Sequence, residues 1–171
     1  MMQGITIRLH DALPAKVLAC WRQELASLPE SDFKVQLDRR IAAYLDAGHG
    51  SCWRRDERIA GLVESTLLHF DGQRYRLLAW CVMPNHVHVL IETLLGHTLA
   101  GILHSWKSYS ASEANKILQR TGTFWFREYH DRYVRNAEHF VNVLRYIEEN
   151  PVAAGLVRLA KDWPFSSARL K

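Results

Sequence analysis

Two histidines, His86 and His88, lie one residue apart in the apolar stretch CVMPNHVHVLIE, residues 81–92. Side chains alternate across a β-strand, so both imidazoles would share one face while Val87 and Val89 point to the other. Two imidazoles at that spacing can bind one cation. On spacing alone, however, such a pair is more often an ordinary half-exposed part of a strand than a metal site.

A second pair of polar residues lies near the end of the chain, in a segment with helical periodicity. Tyr146 and Asn150 are four residues apart and would share one helix face, a turn apart. If this helix packs against the histidine strand, a cation could polarise a phosphodiester while the tyrosine attacks phosphorus. The alternative is a packing tyrosine beside Leu144 and Ile147, with its hydroxyl at the rim of the core.

Between these two pairs, the segment FWFREYHDRYVRN, residues 124–136, interleaves aromatic and basic residues. Aromatic faces can stack on unpaired bases and arginines can hold phosphates, which is how proteins grip single-stranded nucleic acid. An amphipathic strand with solvated arginines explains the same composition equally well. The candidate DNA-binding residues are Trp125, Arg127, Tyr129, Arg132 and Arg135.

The excess positive charge of the chain lies in its C-terminal part. Lys+Arg and Asp+Glu number 11 and 11 over residues 1–100, and 11 and 7 over residues 101–171, which gives the net charge of +4. Clustered basic residues neutralise phosphates, so this distribution favours a polyanionic partner.

The cysteines and the hydropathy pattern indicate the compartment. Three cysteines without CxxC spacing argue against a disulfide scaffold and a thiolate zinc site. No segment approaches 18 uninterrupted apolar residues, so we expect no membrane association. A cytoplasmic protein is the prediction.

Hydrophobic periodicity predicts the elements that position these groups. Alternating apolar residues predict strands, apolar residues at helical spacing predict helices, and Pro, Gly and Asn mark turns. The predicted strands cover residues 5–10, 75–83, 86–92 and part of 123–136. The predicted helices cover residues 15–28, 33–48, part of 50–70, 98–118 and 137–150.

Several boundaries have specific signals. Asp56 and Asn136 are predicted helix N-caps, Pro84-Asn85 should turn the hairpin before His86, and Pro151 should stop the last helix. The order strand, helices, two strands, helix, strand, helix predicts an α+β fold with helices on one face of the sheet. The length fits a single domain over residues 1–171.

The segments AWCVMPNHVHVLIE, FWFREYHDRYVRN, LRYIEENPVAAGLV and DWPFSSA, in this order and at these distances, resemble the REP-associated tyrosine transposases. These are a branch of the insertion-sequence-200-like single-tyrosine transposases in the HUH endonuclease superfamily. The resemblance runs from about Ile5 to Ala168. It implies a ferredoxin-like α+β domain with an antiparallel sheet of four to five strands, and it favours the metal interpretation of the histidines.

The resemblance also implies roles for individual residues. The paired histidines of the family correspond to His86 and His88, the nucleophile to Tyr146, and a further metal ligand to Asn150. The implied cofactor is Mg²⁺ or Mn²⁺. The implied reaction cuts and rejoins single-stranded DNA at palindromic hairpins, leaving a 5′-phosphotyrosine and a free 3′-OH. Many members have glutamine where this chain has Phe126, which puts one DNA contact in doubt.

Three alternatives stay open at this point. The protein could be a DNA-hairpin-binding protein that no longer cleaves, or a metallohydrolase that attacks with metal-bound water. The family contains both monomers and homodimers, and the sequence does not decide between the two states. In a homodimer, Tyr146 could act on the histidines of either chain.

Overall fold

The computed structural model describes all residues, Met1–Lys171, and is built on a four-stranded antiparallel sheet. The strands are β1 (Met2–Arg8), β2 (Tyr75–Val82), β3 (His86–Thr93) and β4 (His130–Tyr133). Across the sheet they follow the order β2-β3-β1-β4, so the first strand in the sequence lies between the histidine strand and the last strand. The predicted α+β class and antiparallel sheet are confirmed.

Five α-helices accompany the sheet. They are α1 (Ala15–Glu24), α2 (Glu30–Asp46), α3 (Glu57–Leu68), α4 (Leu99–Ile117) and α5 (Ala137–Ala153), with short 3₁₀ turns at 53–55, 160–162 and 167–170. The five α-helices were predicted, with ends that differ by a few residues, and the 3₁₀ turns were not. None of these helices is long and apolar enough to span a membrane.

The two faces of the sheet are covered by different helices. Val87, Val89 and Ile91 of β3 belong to the main hydrophobic core, which also contains the apolar faces of α3 and α4. On the opposite face, Leu90 packs with Ile147 of α5 in a smaller cluster. The expectation of helices on one face therefore holds for α3 and α4 and needs correction for α5, which lies on the face that carries the histidines.

The hairpin that carries the histidines has the predicted form. Strands β2 and β3 pair up to Val82 and Val87, so the turn comprises Met83, Pro84 and Asn85. Met83 N–H donates to the His86 carbonyl at 2.9 Å, and Leu9 N–H donates to the Asn85 carbonyl at 2.8 Å. The turn is thus held by bonds from within the hairpin and from the end of β1.

Both predicted N-caps are confirmed, and the predicted end of α5 is wrong. Asp56 accepts from Arg58 N–H, and Asn136 accepts from His139 N–H. Helix α5 continues through Pro151 to Ala153, because proline removes only one helical hydrogen bond, and Ala154 N–H still donates to the Asn150 carbonyl at 2.9 Å.

The fourth strand is shorter than the predicted segment. Only His130–Tyr133 pairs with β1, while Trp125, which precedes this strand in the chain, forms an isolated bridge with Leu9. Residues 124–136 are therefore a buried anchor followed by a short edge strand.

Candidate active site

The two histidines lie side by side on β3 in a buried position. His86 and His88 are 1% and 5% exposed, and their ring centroids are 4.6 Å apart. The predicted same-face arrangement is confirmed. Each Nδ1 atom has a partner: Asn85 Oδ1 at 2.7 Å for His86, and Thr6 Oγ1 at 2.9 Å for His88. Each Nε2 atom is buried and has no hydrogen-bond partner.

The contacts of Asn85 fix the tautomer of His86. The Asn85 amide nitrogen donates to the His49 carbonyl at 2.9 Å, so its oxygen faces the imidazole. An amide oxygen only accepts, so His86 Nδ1 must carry the proton, and Nε2 presents a lone pair. This is the form in which histidine binds a metal ion.

Burial keeps both imidazoles neutral. It lowers the pKa of His86 well below its ordinary value, helped by His88 and the Arg54 guanidinium. Burial, with Arg54 and His130, lowers the pKa of His88 to about 3. At neutral pH both rings are free of the second proton that would compete with a cation.

Helix α5 brings Tyr146 next to the histidines of the same chain. The Tyr146 and His88 ring centroids are 5.2 Å apart. Half of the tyrosine surface is exposed and the remainder faces a cavity. Burial of this inner part and the charge of Asp46 raise the phenol pKa to about 12, against a smaller lowering by Arg132. At neutral pH the phenol therefore keeps its proton.

Asn150 lies one turn after Tyr146, as predicted, and points into the interior. It is 1% exposed, and neither its amide oxygen nor its amide nitrogen has a hydrogen-bond partner. Its amide neighbours the His86 imidazole and the Asp46 carboxylate. Asn150 is thus available as an oxygen ligand beside the histidines.

Asp46, the last residue of α2, also reaches this site and was not among the residues predicted for it. Its Oδ1 atom lies 3.6 Å from His86 Nε2 and is buried without a hydrogen-bond partner. Burial raises its carboxyl pKa to about 6, opposed by the Asn150 amide. A single aspartate at the end of an amphipathic helix has no sequence signal that separates it from a surface residue.

These side chains fit a divalent cation. Buried polar atoms without partners are uncommon in proteins, and several here surround one site: His86 Nε2, His88 Nε2, Asp46 Oδ1 and Asn150 Oδ1. As they stand, no three His, Cys, Asp or Glu side chains are gathered closely enough to hold a metal by themselves. A cation here would therefore need the Asn150 oxygen in addition to the two imidazoles.

A cavity of about 400 Å³ opens above these groups. Strands β1, β3 and β4 form its floor, and α2 and α5 form its two walls. Its size is within the usual range for small-molecule or nucleotide-sized ligands. The polar residues that line it are Thr6, Asp38, His86, His88, His130, Arg132, His139, Asn142 and Tyr146.

The predicted DNA-binding residues divide into two groups. Arg127, Tyr129, Arg132 and Arg135 are exposed, and Arg132 lies at the mouth of the cavity, 3.5 Å from Asp38 Oδ2. Trp125 is 6% exposed and needs correction as a DNA contact.

The contacts of Trp125 are those of a core residue. Its indole N–H donates to Ser110 Oγ at 2.9 Å, and its ring packs under the Arg54 guanidinium. A ring enclosed in this way cannot stack on a base.

The loop after α2 fastens the histidine hairpin from outside. His49 accepts from Asn85, as described above. Arg54 Nε donates to the Met83 carbonyl at 2.6 Å, and its backbone N–H donates to the Pro84 carbonyl at 3.3 Å. Residues 46–54 therefore contact the site at Asp46 and hold the turn that orients His86.

Known proteins share the fold of this chain, and a family model matches its sequence. A solved REP-associated tyrosine transposase bound to a REP hairpin superposes with a TM-score of 0.62, at 15% identity, over 99% of this chain and 77% of that one. The likeness shows a shared fold.

The family model described as "Transposase IS200 like" matches residues 56–150, more than half of the chain. This chain belongs to the IS200-like transposase family. A Haemophilus influenzae protein assigned as a REP-associated tyrosine transposase is 27% identical over 103 residues, which are 54% of this chain and 58% of that protein. The chain thus spans a little over half the length of this curated relative.

Proposed function

We propose that this chain is a metal-dependent single-stranded DNA endonuclease and strand transferase that acts on palindromic hairpins of the REP type. One observation carries the proposal: the Tyr146 ring lies 5.2 Å from the His88 ring, beside two buried imidazoles whose Nε2 atoms have no partner. Family membership supports DNA cleavage as the activity, and the hairpin bound by the structural relative supports the substrate.

In this proposal His86, His88 and Asn150 hold Mg²⁺ or Mn²⁺. When bound, the cation would polarise the scissile phosphate and stabilise the leaving oxygen. The donor set is consistent with this role, because two neutral imidazoles and an amide oxygen suit a borderline or hard divalent ion.

Tyr146 is the proposed nucleophile. Its deprotonated oxygen attacks phosphorus, the bond from phosphorus to the 3′ oxygen breaks, and that oxygen takes up a proton to give a free 3′-OH. The products are a 5′-phosphotyrosine on the protein and a 3′ end that can attack it in the rejoining step. Because the phenol pKa is raised to about 12, positive charge near the hydroxyl is needed, and Arg132 supplies part of it.

The exposed arginines would guide the DNA strand to the cavity. Arg127, Arg132 and Arg135 lie on or next to the edge strand β4, and Tyr129 offers an exposed ring. Phosphate contacts by arginine and base stacking on tyrosine together bind a single strand without requiring a particular sequence.

The direct test compares wild type and Tyr146→Phe on a labelled REP hairpin with Mn²⁺. We expect a covalent protein–DNA adduct on a denaturing gel with wild type and none with the variant. Hairpin affinity should be retained in the variant, because only one hydroxyl is removed.

Two other outcomes would overturn the proposal. Hairpin binding without any adduct or cleavage in either protein would identify a binding protein that no longer cleaves. Cleavage that survives in Tyr146→Phe, without an adduct, would identify a hydrolase that attacks with water.

A further inference from the structure

We propose that Asp46 of α2 is an additional, anionic ligand of the cation site. This inference rests on the proposed function for the existence of that site. It goes beyond it because the carboxylate comes from residues 1–55, which lie outside the part of the chain that matches the family model, residues 56–150.

The first argument is geometric. Asp46 Oδ1 and His86 Nε2 are 3.6 Å apart, which is too long for a hydrogen bond. Two donor atoms that bind one cation at ~2.1 Å each, at the angles common in metal sites, lie ~3.0–3.5 Å from each other. The observed separation is close to that of two ligands of a shared ion.

The second argument comes from the tautomer of His86. Its Nδ1 atom carries the proton for Asn85, so its Nε2 atom presents a lone pair to the carboxylate oxygen of Asp46. Both atoms are buried, and neither receives a hydrogen bond. Two facing acceptors repel each other, and burial without a donor is costly. A cation between them removes both penalties.

The third argument is chemical. His86, His88 and Asn150 are all neutral ligands, so they leave the full charge of a divalent ion uncompensated. A carboxylate adds one negative charge and a hard oxygen, which is the ligand type that Mg²⁺ and Mn²⁺ prefer.

The fourth argument concerns positioning. Asp46 ends α2, and three residues later the His49 carbonyl binds the Asn85 amide, whose oxygen in turn orients His86. One short stretch of chain thus places the carboxylate and fixes the imidazole it faces.

The test measures Mn²⁺ binding to the full chain without DNA, from the loss of the electron paramagnetic resonance signal of free Mn²⁺ at pH 7.5. We expect Asp46→Asn to bind Mn²⁺ at least ~10-fold more weakly than wild type, because an anionic ligand is lost while the side-chain shape is kept. Circular dichroism establishes that the variant is folded.

Asp38→Asn is the matched control. It removes the same charge from the same helix, two turns away, where Asp38 faces Arg132. Its Mn²⁺ affinity should equal that of wild type. An equal loss in both variants would mean long-range electrostatics and would overturn the inference.

A His86→Ala/His88→Ala variant separates this inference from the proposed function. If the double variant loses Mn²⁺ binding and Asp46→Asn does not, the cation site stands and the role of Asp46 is refuted. If wild type shows no histidine-dependent Mn²⁺ binding, the cofactor of the proposed function fails, and the role of Asp46 fails with it.

Discussion

At the level of single residues, the main feature of the site is that only one nitrogen of each histidine ring has a hydrogen-bond partner. Thr6 and Asn85 bond to the Nδ1 atoms of His88 and His86, and both Nε2 atoms are left buried without a hydrogen-bond partner. Metal-binding histidines usually have such a partner on the other ring nitrogen, because it fixes the tautomer and the ring orientation. The preparation of the two imidazoles is therefore built into β1 and the hairpin turn.

The buried titratable groups predict how stability depends on pH. The folded pKa values of His86 and His88 are lowered, so their contribution is fully present above the unfolded value near 6.5 and is lost as pH falls. Asp46 acts in the opposite direction, because its pKa in the folded protein is raised to about 6. Its protonation therefore increases the free energy of unfolding as the pH falls. Since two histidines act against one aspartate, we expect a net loss of stability as the pH falls from 6 towards 4.

Urea unfolding of the metal-free protein at several pH values measures this dependence. His88→Gln removes one of the two histidine contributions, so its free energy of unfolding should fall less steeply with decreasing pH than that of wild type. Equal slopes for the two proteins would show that His88 is not held neutral by the fold.

At the level of elements, the segment 124–136 has two parts with different roles. Trp125 lies in the main core, whereas Arg132 lies on an edge strand at the mouth of the cavity. Trp125→Ala should cost about 3–5 kcal/mol of unfolding free energy, as large-to-small core substitutions of aromatic residues do.

Arg132→Ala should leave stability nearly unchanged and reduce the slope of log affinity for single-stranded DNA against log salt by about 0.7.

Chemical denaturation and salt-dependent DNA binding measure the two effects on both variants. The opposite pattern, with Trp125→Ala stable but defective in DNA binding, would restore the original interpretation of the tryptophan as a stacking platform.

Most elements were predictable from the sequence because their signals are local. The β-branched run around His86 and His88 and the caps Asp56 and Asn136 depend only on neighbouring residues. The predicted stop at Pro151 failed because the rest of α5 compensates for one missing donor.

Parts of the site were not predictable because they depend on contacts distant in sequence. The sequence around Trp125 fits both a buried core residue and a DNA-binding residue. Only its contacts with Ser110 and Arg54 in the folded chain show that it is a core residue. Asp46 belongs to the site only because α2 packs against the face of the sheet that carries the histidines, which its local sequence does not indicate.

At the level of the whole molecule, the site is assembled within one chain. The Tyr146 ring and the His88 ring that it contacts belong to the same chain. We therefore expect no restoration of adduct formation when Tyr146→Phe and His88→Ala variants are mixed, since neither chain then carries both groups.

A labelled-hairpin assay on the mixture and on each variant alone measures this complementation. If chains exchanged their α5 helices in a dimer, the mixture would recover about a quarter of the wild-type sites, because half of the dimers would be mixed and each would hold one intact site.

The contact between Thr6 and His88 joins residues 82 positions apart, and the contact between His49 and Asn85 spans 36. Such contacts close long loops and form only after the sheet has assembled, so an unfolded chain has no site for the cation. The cation of the proposed function would then bind the native state alone, and a concentration 100 times its Kd would add about 2.7 kcal/mol to stability. Since the contacts that form the site join distant parts of the chain, we expect bound metal to slow unfolding and to leave the folding rate nearly unchanged.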